Sequence, residues 1–220
     1  SYARQSFSSF LTEHRNDINL AHLLESAEQE WDADSSSDSI NLRKRTKDAG
    51  LTPTNAIRMY FEHLIDIDRK STALKDLQGR IWKNGYERGE ITSQLFNETT
   101  ESLRRWNSKK LSLSVYSSGS IQAQKLLYSH TEGGDLEHLF DHWFDTHTGS
   151  KKEVESYRRI VKEINSKSSN ILFISDNGDE CDAAKASGMQ TLFSLRDGNP
   201  DQNPQGHRVI KSLNDVDAHL

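Results

Sequence analysis

The sequence predicts an α/β protein, with an all-helical cap subdomain over residues 1–90 and a parallel-sheet core over residues 91–220. Three observations predict it. Up to about Glu90, apolar residues recur at helical spacing and no strand alternation occurs. Beyond that point, helical stretches alternate with short apolar runs, the pattern of parallel strands joined by helices. Those runs end in hydroxyl-bearing or acidic residues, and such sheets bind ligands beyond the carboxyl ends of their strands.

Within the helical segment, Phe7, Phe10 and Leu11 mark a first helix. Leu20, Leu23, Leu24 and Ala27 mark a second, from Asn19 to Trp31. The serine-rich stretch Asp32 to Ser39 reads as a loop. Thr52-Pro53 supplies an N-cap and a first-turn proline for a helix to about Ile67 that buries Ile57, Tyr60, Phe61, Leu64 and Ile65. Ser71 caps another, carrying Leu74, Leu77, Ile81 and Trp82 to about Gly85. A helix is then expected from Thr92 to Trp106 and a strand from Leu111 into the turn Ser117-Ser118-Gly119-Ser120. Next come a helix from Ile121 to Tyr128, a short strand at Trp143 to Thr146 and a helix from Lys152 to Ile164. A strand from Ile171 to Asp176, a helix from Glu180 to Ala186 and strands at Met189 to Leu195 and Arg208 to Ile210 complete the series.

The chain has 220 residues, a formal net charge of −5 and 33% hydrophobic residues, with a mean hydropathy of −0.81. At this length a sizeable core is attainable, but much of the helical surface must be solvated. No long basic run occurs, which argues against nucleic acid or an acidic membrane as partner. No apolar run is long enough to span a bilayer. Cys181 is the only cysteine, so no intrachain disulfide forms, and a reducing, cytoplasmic location is expected, with the protein a monomer. His130, His138, His142 and His147 lie close in sequence but match no zinc spacing.

Three strand ends carry the candidate chemistry. Ser117, Ser118 and Gly119 offer hydroxyl and backbone donors that suit a phosphate, and equally suit a helix N-terminus. Lys151 follows Gly149-Ser150 at the start of a helix, where an ammonium would neutralise phosphate charge; Lys152 beside it is as available. Asp176 ends an apolar strand. Its carboxylate suits Mg²⁺, which takes a few carboxylates together with waters and phosphate oxygens. Glu180 is a supporting candidate, although an acidic helix start also accounts for Asp179, Glu180 and Asp182.

In this order, these residues resemble the haloacid dehalogenase superfamily, whose core is Rossmann-like. The likeness is closer to the enolase-phosphatases of methionine salvage. It is carried by Tyr116 to Leu127, Phe144-Asp145-Thr146, Gly149-Ser150-Lys151, Glu155-Ser156-Tyr157 and Ile171 to Asp176. In the helical segment it is carried by Leu74 to Gly79 and Trp82. The resemblance implies a Mg²⁺-dependent phosphoric monoester hydrolase. Its substrate would be 2,3-diketo-5-methylthiopentyl 1-phosphate, enolised and then dephosphorylated to the acireductone 1,2-dihydroxy-3-keto-5-methylthiopentene. It implies that Ser117, Ser118 and Lys151 bind substrate phosphate and that Asp176 binds Mg²⁺. Gln78 and Trp82 would face the substrate from the cap.

The same resemblance implies a strand ending in Asp-x-Glu-Gly-Thr, whose first Asp is the nucleophile. No such stretch occurs. Leu64-Ile65-Asp66-Ile67-Asp68 imitates it, but lacks the glycine and continues a helical stripe. The nucleophile is therefore expected to be absent and the chain to be an N-terminally truncated, inactive form. A slot, or a substitute segment, is expected between the strands ending at Ser117 and Asp176. Two other readings stand beside this one. One is a non-catalytic, phosphate-binding pseudo-phosphatase. The other is a phosphatase of the same superfamily for another small phosphate ester.

Overall fold

Five helices make up the first of two units, Ser1–Ile91, in a computed structural model that describes residues 2–220. They are α1 (Tyr2–Glu13), α2 (Ile18–Ala33), α3 (Ser37–Asp48), α4 (Pro53–Asp66) and α5 (Thr72–Glu87). Three begin at side-chain caps. Asp17 accepts from Asn19 N, Thr52 from Asn55 N and Ser71 from Leu74 N, each satisfying an amide that has no partner within the helix. Their apolar stripes meet in one core, with Phe7, Phe61, Leu64 and Leu77 fully buried. Each such side chain contributes about 1.5–3 kcal/mol. Gly85 is required where α5 meets α1, because a Cβ there would overlap the Tyr2 ring.

The serine-rich stretch is shorter than the sequence suggests. Asp32 and Ala33 still belong to α2, and α3 starts at Ser37. Tertiary contacts override the turn preference of serine here. Ser39 and Leu42 are buried, and Trp31 Nε1 donates to Ser39 O at 3.2 Å. The Asp66–Asp68 imitation of a nucleophile motif falls at the end of α4, where Asp66 pairs with Arg4.

The second unit, Thr92–Leu220, contains α6 (Thr99–Ser108), β1 (Ser114–Tyr116), α7 (Ile121–Ser129) and β2 (His142–Phe144). These are followed by α8 (Val154–Ile164), β3 (Leu172–Ser175), α9 (Gly178–Ala186), β4 (Gln190–Ser194) and β5 (Arg208–Ile210). Two boundaries differ from expectation. The helix expected from Thr92 begins at Thr99, because the preceding residues run alongside the end of α7, with Ser93 bridging Thr131. The strand expected from Leu111 pairs only from Ser114. Leu111 and Leu113 instead pack into the core, and Leu113 O takes the Asp141 amide at 2.9 Å.

The pairings between the named strands are all parallel. β1 pairs with β2 in one sheet, and β3-β4-β5 form another. Along β3 the side chains alternate. Leu172 and Ile174 join the cluster around Leu103, Trp106 and Leu192, and Phe173 joins the cluster around Phe144, Tyr157 and Ile160. Apolar contact on both faces is the mark of a sheet covered on both sides. β1 and β3 are not bonded to each other. A groove of about 1130 Å³ runs between them, lined by Ser114–Tyr116 and by Leu172–Ser175. The sequence reading expects a slot, or a substitute segment, at this place.

Glu98 ties the unit together beside α6. Its Oε1 accepts from Arg196 Nη2 at 2.6 Å, Ser212 Oγ at 3.1 Å and Leu213 N at 3.1 Å. Burial opposes its charge, but these donors outweigh that effect and lower its pKa to about 2. A depressed carboxylate stabilises the fold above its unfolded pKa, and the gain is lost as pH falls through the folded value. Glu98→Gln is therefore expected to cost about 2 kcal/mol at neutral pH. It should also flatten the loss of stability between the ordinary carboxylate range and pH about 2. Urea denaturation across that pH range checks both.

Candidate functional site

The turn after β1 is built from three serines with different roles. Ser120 is the N-cap of α7 and accepts from Ala123 N at 3.3 Å. The capping role therefore falls on Ser120, leaving Ser117 and Ser118 ahead of the helix. Ser117 N donates to Phe144 O at 3.1 Å, and Ser117 Oγ accepts from Gly119 N at 3.2 Å. The turn is thus fastened to the carboxyl end of the neighbouring strand β2.

From that end, residues 145–151 form a second loop. Asp145 is 6% exposed. Its Oδ1 accepts from the His147 amide and from His147 Nδ1, both at 2.9 Å, and its Oδ2 accepts from Ile121 N at 3.4 Å. Burial opposes its ionisation, but the donors from His147 and Ile121 outweigh it and hold the carboxyl below its ordinary pKa. Three side chains then fix the stretch leading to Lys151. Arg159 donates to Thr148 O at 2.9 Å, Tyr116 OH to Gly149 O at 3.0 Å and Tyr157 OH to Lys151 O at 2.6 Å. Burial pushes both tyrosine pKa values up, so both keep the proton they donate. Gly149 has φ 137°, and a Cβ there would overlap Ser156 Oγ.

The two lysines are not equivalent. Lys151 Nζ lies 2.8 and 2.7 Å from the two Glu180 oxygens, and both side chains are largely buried. Lys152 makes an exposed pair with Asp179. Glu180 also accepts from Ser175 Oγ at 2.8 Å, so it joins the Lys151 loop to the end of β3. Lys151, Asp176 and Glu180 line the groove together with Ser175 and Tyr116. Ser117 and Ser118 lie just beyond Tyr116 and outside that lining.

Asp176 is exposed, between β3 and α9. Asn177 next to it is committed as the α9 cap, accepting from Glu180 N at 3.2 Å. Among the described residues, no group of three His, Cys, Asp or Glu side chains is placed to hold a metal. Both Glu180 oxygens are engaged by Lys151, which leaves the exposed Asp176 as the carboxylate of a donor set that fits Mg²⁺, whose remaining ligands are waters and phosphate oxygens. Gln78 and Trp82 lie one turn apart on α5, half-buried and 38% exposed respectively.

Sequence reasoning missed Gln124 and the structural role of Asp145. Gln124 is the sole buried residue of α7, and a buried amide must find partners. For Asp145 the usable signal was an acid directly after a strand; for Gln124, between Ala123 and Lys125, the local sequence carried none.

Comparison with known proteins agrees with this layout. A family model described as haloacid dehalogenase-like hydrolase matches residues 11–188. An enolase-phosphatase E1 of Parasynechococcus marenigrum (strain WH8102) is 68% identical over 219 residues, covering 100% of this chain and 89% of the relative. One from Klebsiella pneumoniae (strain 342) is 41% identical, covering 80% of this chain and 76% of that one. The crystal structure of the UTR4 protein of Saccharomyces cerevisiae superposes with a TM-score of 0.66 at 30% identity, covering 90% of this chain and 91% of that one.

Gly149→Ala should lower the melting temperature by several degrees, because it adds backbone strain and a clash, about 1–3 kcal/mol together. Adding Ser156→Gly should recover the part due to the clash. Thermal unfolding of the single and double variants separates the two.

Proposed function

The chain belongs to the haloacid dehalogenase-like hydrolase family and, within it, to the enolase-phosphatases, and from that premise we propose that it acts on a small phosphorylated diketone. The substrate is 2,3-diketo-5-methylthiopentyl 1-phosphate, and the product of enolisation and dephosphorylation is the acireductone of methionine salvage. One observation supports this reading: Lys151, Asp176 and Glu180 line one groove with Tyr116, the last residue of β1 and the one before Ser117.

In this reading Ser117 and Ser118 donate to the non-reacting oxygens of the phosphoryl group. Lys151 neutralises charge that builds up on those oxygens during transfer, a term that acts more strongly in a water-poor site than in bulk water. Glu180 keeps the ammonium aimed in the absence of substrate. Asp176 holds Mg²⁺, which would supply charge neutralisation at the phosphate. By the family resemblance, Gln78 and Trp82 are further candidates for recognising the remainder of the substrate.

The attacking carboxylate is assigned to an extended strand seated in the slot. Among the described residues lining the groove, only Asp176 and Glu180 are carboxylates, and Glu180 is engaged by Lys151. This favours a second reading for the 220 residues alone, a phosphate-binding module without turnover.

The 220-residue chain is expected to show no Mg²⁺-dependent release of phosphate from the diketone phosphate. Adding an apolar strand peptide that ends in Asp-x-Glu-Gly-Thr should restore it. Turnover by the chain alone, abolished by Asp176→Ala, would mean that the nucleophile has been misplaced. In the restored enzyme, Lys151→Met should reduce turnover by about 10²–10³. A preference for sugar phosphates over the diketone phosphate would point to another substrate.

A further inference from the structure

Gln124 is 5% exposed and lies on α7, outside the groove lining. Its Nε2 donates to two backbone carbonyls, Gly119 O at 2.8 Å and Phe144 O at 2.9 Å. The first belongs to the serine-rich turn and the second to the last residue of β2. Phe144 O also receives Ser117 N. One amide therefore links the start of the turn, its glycine and the strand that leads towards Lys151.

The orientation of that amide is forced by its surroundings. Reversed, Gln124 Oε1 would face two carbonyl oxygens, acceptor against acceptor. As placed, Oε1 is buried and has no hydrogen-bond partner among the described residues. The fold thus leaves one acceptor unsatisfied in order to hold two carbonyls.

The consequence for the turn follows from peptide geometry. In a trans peptide the C=O and N–H point in opposite directions. Drawing Gly119 O onto Gln124 turns the Ser120 N–H away from that side chain. Among the described residues, the Ser118 and Ser120 N–H groups donate to no protein acceptor. Asp145 fastens the far side of the turn through Ile121 N.

We propose that Gln124 is a positioning residue for the phosphate turn, clamping Gly119 O and Phe144 O so that the free N–H groups of Ser118 and Ser120 stay aimed at phosphoryl oxygens. The inference rests on the proposed binding of phosphate at Ser117 and Ser118. Isoleucine, leucine or methionine would fill the same volume but supply no donor. Glutamate would supply one only when protonated.

The test is titration of the ¹⁵N-labelled 220-residue chain with inorganic phosphate, read at the Ser118 and Ser120 amides. Both should shift in the wild type. Gln124→Met should weaken phosphate binding by about tenfold or more. Gln124→Glu should be weakened at about pH 8.5 and should approach wild type, compared at each pH, as its carboxyl gains a proton to donate. If Gln124→Met does not fold, the glutamate variant carries the test alone. Affinity within about twofold of wild type in the folded variants would overturn the proposal, as would a loss in Gln124→Glu that does not narrow with pH. A wild-type chain whose Ser118 and Ser120 amides ignore phosphate would overturn the phosphate site itself, and this inference with it.

Discussion

Backbone donors and acceptors on a strand need partners, and this requirement governs the second unit. β1 is bonded only to β2, and β3 only to β4, so each keeps one unpaired edge, and both strands line the same groove. An open edge of this kind is a template for another strand. The groove walls are largely apolar, with Leu172, Ile174, Phe173 and Phe144 among them, and this suits an apolar strand better than a soluble metabolite. The charged lining residues Lys151, Asp176, Glu180 and Arg196 all follow the ends of β2, β3 and β4.

The polar end is held in place by connections between loops. Glu180 bridges Lys151 and Ser175. Gln124 bridges Gly119 and Phe144, while Asp145 joins its own loop to the start of α7. Each bridge joins the ends of different elements, so the strand ends are registered by side chains as well as by the β-ladders. Charge placement depends on the same bridges. Lys151 is paired with the part-buried Glu180, while Asp176, between β3 and α9, is exposed.

Much of the layout was legible from local pattern. The proline and cap at Thr52-Pro53, the cap at Ser71 and the stripes through Phe61 and Leu77 produced the expected helices. The run Ile171 to Asp176 produced a strand with acid at its end. Misplaced boundaries occurred where distant contacts decide. Ser37 to Ser39 became helix because Leu42 and Trp31 could be buried against it, and residues 92–98 left the helix because Ser93 found Thr131. Thr131 lies far outside any local window around Ser93.

By itself, the sequence determined the two-part order of helices followed by alternating elements. Periodicity and capping are local properties, and they fix element type before any tertiary contact forms. Only the tertiary structure decided that Ser120 is the cap and Ser117 is not, and that Lys151 rather than Lys152 meets Glu180. It alone showed that Gln124 and Asp145 hold the loops. The Lys151–Glu180, Gln124–Phe144 and Asp145–Ile121 contacts join residues 29, 20 and 24 positions apart. A hydrogen bond of that range is set by where two strand ends meet in space, which no local pattern encodes.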